Sequence, residues 1–104
     1  MPYRVIYSPS FKDDVREHIR YLIDEKVAIS TLNNWFNLLY DKIDDLAQYP
    51  KQYPVDPVQT EETKVETRKL NIGKYLVFYQ IDDQHEQVNV MAFIHGSLRK
   101  DANN

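Results

Sequence analysis

Two neighbouring cations, Arg68 and Lys69, stand in the middle of a strand-like run. A histidine, His95, closes the last such run, and Arg99 follows four residues later. These residue types suit anion chemistry. Arg and Lys hold a phosphate, while a His near neutrality takes or gives a proton. Brought together at one sheet edge, Arg68, Lys69, His95 and Arg99 would stabilise and cleave an RNA phosphodiester without a metal, with the 2′-hydroxyl as internal nucleophile. Lys64, Lys74 and Lys100 complete the basic set. If the chain has an anion-facing surface, it lies among these residues.

Each of these residues also has a plainer reading. Charged groups on an open sheet face are often merely solvated, and a His just after a strand often caps or packs. His18, between Val15 and Leu22, reads as a boundary residue of a helix, and His85 sits in a polar turn. No two histidines share metal-ligand spacing, and no cofactor is expected. The pairs Asp13–Asp14 and Asp44–Asp45 read as solvated helix surface. Tyr75 and Tyr79 read as core or rim.

The elements that would position these groups follow from periodicity. Tyr3–Tyr7 is β-branched or aromatic at four of five positions and reads as a strand. Ser8 as N-cap with Pro9 at the first helical position is one helix start; Ser10 with Asp13 is the competing capping box. Phe11, Val15, Ile19, Leu22 and Ile23 then share one helical face. In a second helix Ile29, Leu32, Phe36, Leu39, Ile43 and Leu46 repeat at three and four, with Trp35 and Leu38 on one flank. Pro50 ends it, and residues 49–63, with Pro50, Pro54 and Pro57, read as an extended connector.

Three strands follow, Val65–Ile72, Tyr75–Ile81 and Val88–Ile94. Gly73–Lys74 makes a tight hairpin link between the first two. The middle run is apolar on both faces, which places it near the sheet centre. In the last, Val88, Val90, Ala92 and Ile94 are expected on one face, and Asn89, Met91, Phe93 and His95 on the other. The order is β-α-α-β-β-β, an α+β domain with a helical hairpin on a mostly antiparallel sheet. The neighbour of the first strand stays open. Residues 1–104 form one domain with a frayed tail at 100–104.

Composition limits the function classes. The 104 residues are 42% hydrophobic and 28% charged, as in a folded soluble domain. The absence of cysteine excludes disulfides, thiolate metal sites and thiol nucleophiles, and fits a reducing cytoplasm. Two glycines cannot build a phosphate-cradling loop. There is no membrane-length apolar run and no signal-peptide core. The net charge is −3, unlike a protein that grips nucleic-acid backbone. It is unevenly spread: residues 1–63 hold seven Lys/Arg against eleven Asp/Glu, and residues 64–104 hold six against five.

Several segments together resemble the RelE/ParE toxin superfamily. These are Tyr3-Arg4-Val5-Ile6-Tyr7-Ser8-Pro9, Leu46-Ala47-Gln48-Tyr49-Pro50, Arg68-Lys69-Leu70, Tyr75-Leu76-Val77-Phe78-Tyr79-Gln80-Ile81 and Val88-Asn89-Val90-Met91-Ala92-Phe93-Ile94-His95-Gly96. The likeness covers about residues 3–100 and agrees with the β-α-α-β-β-β order. It implies the toxin of a type II toxin–antitoxin (plasmid stabilisation) module, with a small antitoxin encoded alongside. That antitoxin would fold onto the toxin as helix and extended chain.

The superfamily has two activities. RelE-like members cleave mRNA on the ribosome, whereas ParE-like members inhibit DNA gyrase. The nucleases resemble one another in an Arg just after the Tyr that opens the central strand; here that position is Leu76. They often carry a Tyr near the C-terminus, which is missing here. Loss of one transition-state cation would cost a nuclease on the order of 10²–10³ in rate. The likeness is closer to the ParE-like branch, which implies a gyrase-directed, growth-inhibiting toxin. The alternative is an mRNA interferase using Arg68, His95 and Arg99 as catalytic residues. Lys64, Lys69, Lys74, Tyr75 and Lys100 are the expected binding residues. A homodimer or a toxin–antitoxin heterotetramer are the expected assemblies.

Overall fold

The computed structural model describes residues 2–95. Strand β1 (Arg4–Tyr7) leads into helices α1 (Pro9–Asp24) and α2 (Ile29–Asp44), and α2 runs on into a 3₁₀ turn at Asp45–Ala47. After the connector come α3 (Pro57–Thr63), β2 (Thr67–Ile72), β3 (Tyr75–Asp82) and β4 (Gln87–His95). The sheet order is β1-β4-β3-β2. β1 lies parallel to β4, and the other pairs are antiparallel. The expected order therefore holds, and β3 lies inside the sheet. No helix among the described residues is long and apolar enough to cross a membrane.

The start of α1 is the Ser8–Pro9 alternative. The Ser8 hydroxyl accepts the Phe11 N–H at 3.0 Å, and Pro9 occupies the first turn, where a missing N–H costs nothing. The same hydroxyl donates to the Met91 carbonyl at 2.9 Å, and the Ser8 N–H bonds Val90 O. One residue thus caps the helix and ties it to β4.

The core lies between the helices and one face of the sheet. Phe11, Val15, Leu39, Ile43 and Leu46 pack there with Leu70, Ile72, Val77, Tyr79, Val88, Val90 and Phe93. A run of rings links the layers: Tyr7 meets Phe11 and Tyr40, and Tyr40 stacks on Phe36 at 4.9 Å. On β3, Leu76 and Phe78 are buried as well as Val77 and Tyr79, as expected of a strand apolar on both faces.

Three expectations are corrected. First, residues 57–63 are helical, not extended. Asp56 accepts the Gln59 N–H at 2.9 Å and Pro57 fills the first turn, so this proline starts a helix. Lys64, with φ at 61°, ends it in the left-handed region. Second, the stripe of α2 is buried only toward its C-terminal end. Ile29 is 76% exposed, and Leu32 and Phe36 are half-buried.

Third, the face alternation of β4 breaks. Phe78 pairs with Ala92 and Tyr79 with Val90, so Met91 has no opposite number on β3. This bulge shifts the alternation by one residue. Phe93, at 4% exposure, joins Val88 and Val90 in the core instead of facing away from them. His95, two residues further, follows Phe93 to the helix side.

Candidate functional site

Arg68 stands opposite Tyr79 in the β2–β3 ladder. Alternation puts it on the same face as Leu70 and Ile72, under the connector. Its side chain is only 15% exposed. One guanidinium nitrogen donates to Tyr53 O at 2.6 Å and Lys51 O at 3.3 Å, and the other lies 3.4 Å from Glu66. Tyr79 reaches the same segment and donates its hydroxyl to Pro50 O at 2.7 Å. Burial pushes the Tyr79 phenol up to about 12, against the opposing field of Arg68. The two side chains clasp residues 50–53 to the sheet. The backbone extends the clasp: Lys69 N–H bonds Pro54 O, Asp56 N–H bonds Thr67 O, and Val55 bridges to Arg68.

Lys69 turns to the opposite face. Its ammonium lies 3.9 Å from the buried Asp56 carboxylate. Lys64 pairs with Glu61 at 2.6 Å on the exposed end of α3. Lys74 sits in the exposed hairpin turn beside Gly73, whose φ of +57° suits a residue without Cβ. These cations point to several parts of the surface and form no single anion site among the described residues. Arg99 and Lys100 lie outside the described residues.

His95 is the cross-strand partner of Tyr75, with ring centroids 5.2 Å apart. Tyr75 is four residues along β3 from the position opposite Arg68, and β2 and β4 are two strands apart. At standard strand spacings the Arg68 and His95 backbones are roughly 13 Å apart along the strands and roughly 10 Å across them. The structure does not bring these two residues together.

What His95 does meet is His18. A cleft of about 330 Å³ is lined by Asp14, Glu17, His18, Phe93, Ile94 and His95. His18 sits in a nest of rings, 4.7 Å from Tyr75, 5.3 Å from Trp35 and 5.6 Å from Phe93. Its Nε2 is buried without a hydrogen-bond partner. Burial, and then the neighbouring His95, hold its pKa below the ordinary imidazole value. Burial also raises the Tyr75 phenol. Asp14 accepts the Phe93 N–H at 3.3 Å, which ties α1 to β4 beside the bulge. The cleft offers two imidazoles and two carboxylates. Among the described residues no group of three or more His, Cys, Asp or Glu is placed to hold a metal ion.

Sequence reasoning missed this cleft because the alternation of β4 put His95 on the other face. The signal that could have found it was His18 itself, one turn from Val15 and Leu22 on the buried side of α1.

The comparisons with known proteins agree with this architecture. A family model described as "ParE toxin of type II toxin-antitoxin system, parDE" matches residues 5–98. No curated protein matches the sequence. Among solved structures, the toxin–antitoxin complex RelBE2 from Mycobacterium tuberculosis has a chain 22% identical, at a TM-score of 0.57. That match covers 91% of this chain and 99% of the other. A metal-bound toxin from Helicobacter pylori is 18% identical at a TM-score of 0.58, covering 92% and 97%. At such identities the two structures are evidence of a shared fold.

Proposed function

We propose, since the chain belongs to the ParE toxin family of type II toxin–antitoxin systems, that it arrests growth by binding DNA gyrase and that an antitoxin encoded alongside neutralises it. One observation carries the choice of binding over catalysis. The guanidinium of Arg68, the best-placed candidate for holding a phosphate, is occupied by the Tyr53 and Lys51 carbonyls. A largely buried guanidinium whose two terminal nitrogens already bond protein oxygens, with only its buried Nε unpartnered, is poorly placed to stabilise charge developing on a substrate. Two further facts support the reading. Leu76 is buried in β3, where a nuclease of the wider superfamily would present a cation. The charge of −3 suits a protein target better than a nucleic-acid backbone.

In this account Lys64, Lys69, Lys74 and Tyr75 serve binding, and Arg68 holds the connector. A ribonuclease would have to assemble around His95 without Arg68. The test is a short pulse of toxin expression, followed by inspection of mRNA and of chromosomal DNA. Intact mRNA with gyrase-linked DNA breaks is the expected result. Codon-associated mRNA cleavage that disappears in His95→Ala would replace the gyrase reading with the nuclease one.

A further inference from the structure

The cleft between α1 and β4, of about 330 Å³, has no part in the reading above. The charged residues that line it are both anionic, Asp14 and Glu17, three residues apart on one face of α1. Neither carboxylate has an ion pair among the described residues. Asp14 accepts the Phe93 N–H at 3.3 Å through Oδ2, which leaves Oδ1 for another donor. Glu17 has neither a hydrogen bond nor an ion pair among the described residues. Arg16, the cation of the same turn, is paired with Asp13. Like charges one turn apart weaken a helix, and a cation seated between them would offset this.

The rest of the lining is His18, Phe93, Ile94 and His95. Three of these carry rings, and aromatic surface beside carboxylates favours a cation through the ring faces as well as through charge. The imidazole of His18 does not oppose one. It packs against Tyr75, Trp35 and Phe93, and its Nε2 is buried without a partner, so a proton added there would be an unpaired buried charge. Burial lowers its pKa, and the ring is neutral near pH 7. Among organic cations a guanidinium fits best. Its plane stacks on a ring while its forked donors reach carboxylates on two residues, whereas an ammonium is a compact, strongly hydrated point charge.

The geometry points to a binding site for an arginine-type guanidinium in this cleft, its donors on the carboxylates of Asp14 and Glu17 and its plane against the rings of His18 and His95. The site stands apart from the gyrase reading, which makes no use of it.

The experiment titrates N-acetylarginine amide into the full-length chain at neutral pH and low salt, with N-acetylcitrulline amide as the uncharged isostere. Trp35, the single Trp of the chain, lies 5.3 Å from His18, so its fluorescence reports occupancy. The ring resonances of the three histidines report the place. Saturable binding in the millimolar range is expected, at least about tenfold tighter than for the citrulline compound, with shifts at His18 and His95 and none at His85. Asp14→Asn/Glu17→Gln keeps an acceptor for the Phe93 N–H and should weaken binding at least about fivefold, while Asp41→Asn, an exposed charge on α2, should stay within about twofold of wild type. Circular dichroism checks folding, and Glu17→Gln alone, with a loss of about threefold, serves should the double variant disturb α1. Methylguanidinium separates two sources of the ligand. Affinity equal to that of the amide means that a free small guanidine suffices, and weaker affinity means a side chain carried on a polypeptide; both support the site. Equal binding of the arginine and citrulline compounds, unchanged binding in the folded double variant, or no saturable response in wild type would each overturn it and leave the gyrase reading standing.

Discussion

The hydroxyl of Ser8 donates to the Met91 carbonyl at 2.9 Å while it accepts the Phe11 N–H at 3.0 Å. It joins the start of α1 to the bulge that turns Phe93 inward. Helix capping and strand register are therefore coupled through one side chain. Replacing Ser8 with Ala removes both bonds and should cost about 1–2 kcal/mol of stability. Urea denaturation measures this directly; an unchanged midpoint would show that water replaces both bonds at no cost.

The Arg68 clasp makes a different prediction. Arg68→Ala leaves the Tyr53 and Lys51 carbonyls without their donor, along with a space under the connector. A loss of about 2–3 kcal/mol is expected, as for hydrogen bonds involving a charged group, with faster proteolysis at residues 50–55. Toxicity should fall in proportion to the folded fraction. An Arg68→Ala protein as stable as wild type but inactive would place Arg68 in a functional role instead.

Bulge and core can be probed through Phe93, whose ring packs on Phe11, Trp35 and Tyr75. Phe93→Ala should cost about 3–5 kcal/mol. By contrast Ile29→Lys should change stability by less than about 0.5 kcal/mol, because that residue is exposed. Equal costs at the two sites would contradict the burial described for β4 and α2.

His18 gives a pH signature. Its folded pKa lies below its ordinary value of 6.5. The unfolded chain therefore takes up a proton first as the pH falls, and protonation favours unfolding. Stability from this group is complete above about pH 6.5 and declines as the pH drops through the folded value. His18→Phe, which keeps a ring in the nest, should flatten the decline between neutral and mildly acidic pH. Denaturation midpoints across that range decide it; an equal slope in wild type and variant would assign the dependence to other groups.

Much of this architecture was legible in the sequence because local chemistry and global fold agree. Ser8-Pro9, one of the two helix starts the sequence offers, carries its own cap and first-turn proline, and the protein uses it. The doubly apolar Tyr75–Ile81 run could sit only inside a sheet. Features that depend on tertiary context were not legible. Nothing in Val90-Met91-Ala92 announces a bulge, since the extra residue is defined by pairing with β3 and by the Ser8 contact. Pro57 read as a breaker because its capping partner Asp56 is held by the Thr67 carbonyl, eleven residues away. Ile29 continues the periodicity of α2 past the end of what the sheet can cover. Of the site, the residue types were visible, but the distance of His95 from Arg68 was not. Alternation puts Arg68 and Lys69 on opposite faces, and the bulge carries His95 to His18.

The central claim is that this fold acts by binding a protein target. A gyrase supercoiling assay with the purified chain, at one salt concentration and with and without its antitoxin, tests it most directly. Inhibition of supercoiling or trapped cleaved DNA at micromolar toxin, reversed by the antitoxin, is the result expected here. Unaffected supercoiling, together with mRNA cleavage on ribosomes by the same preparation, would contradict the claim and make His95 the first residue to examine.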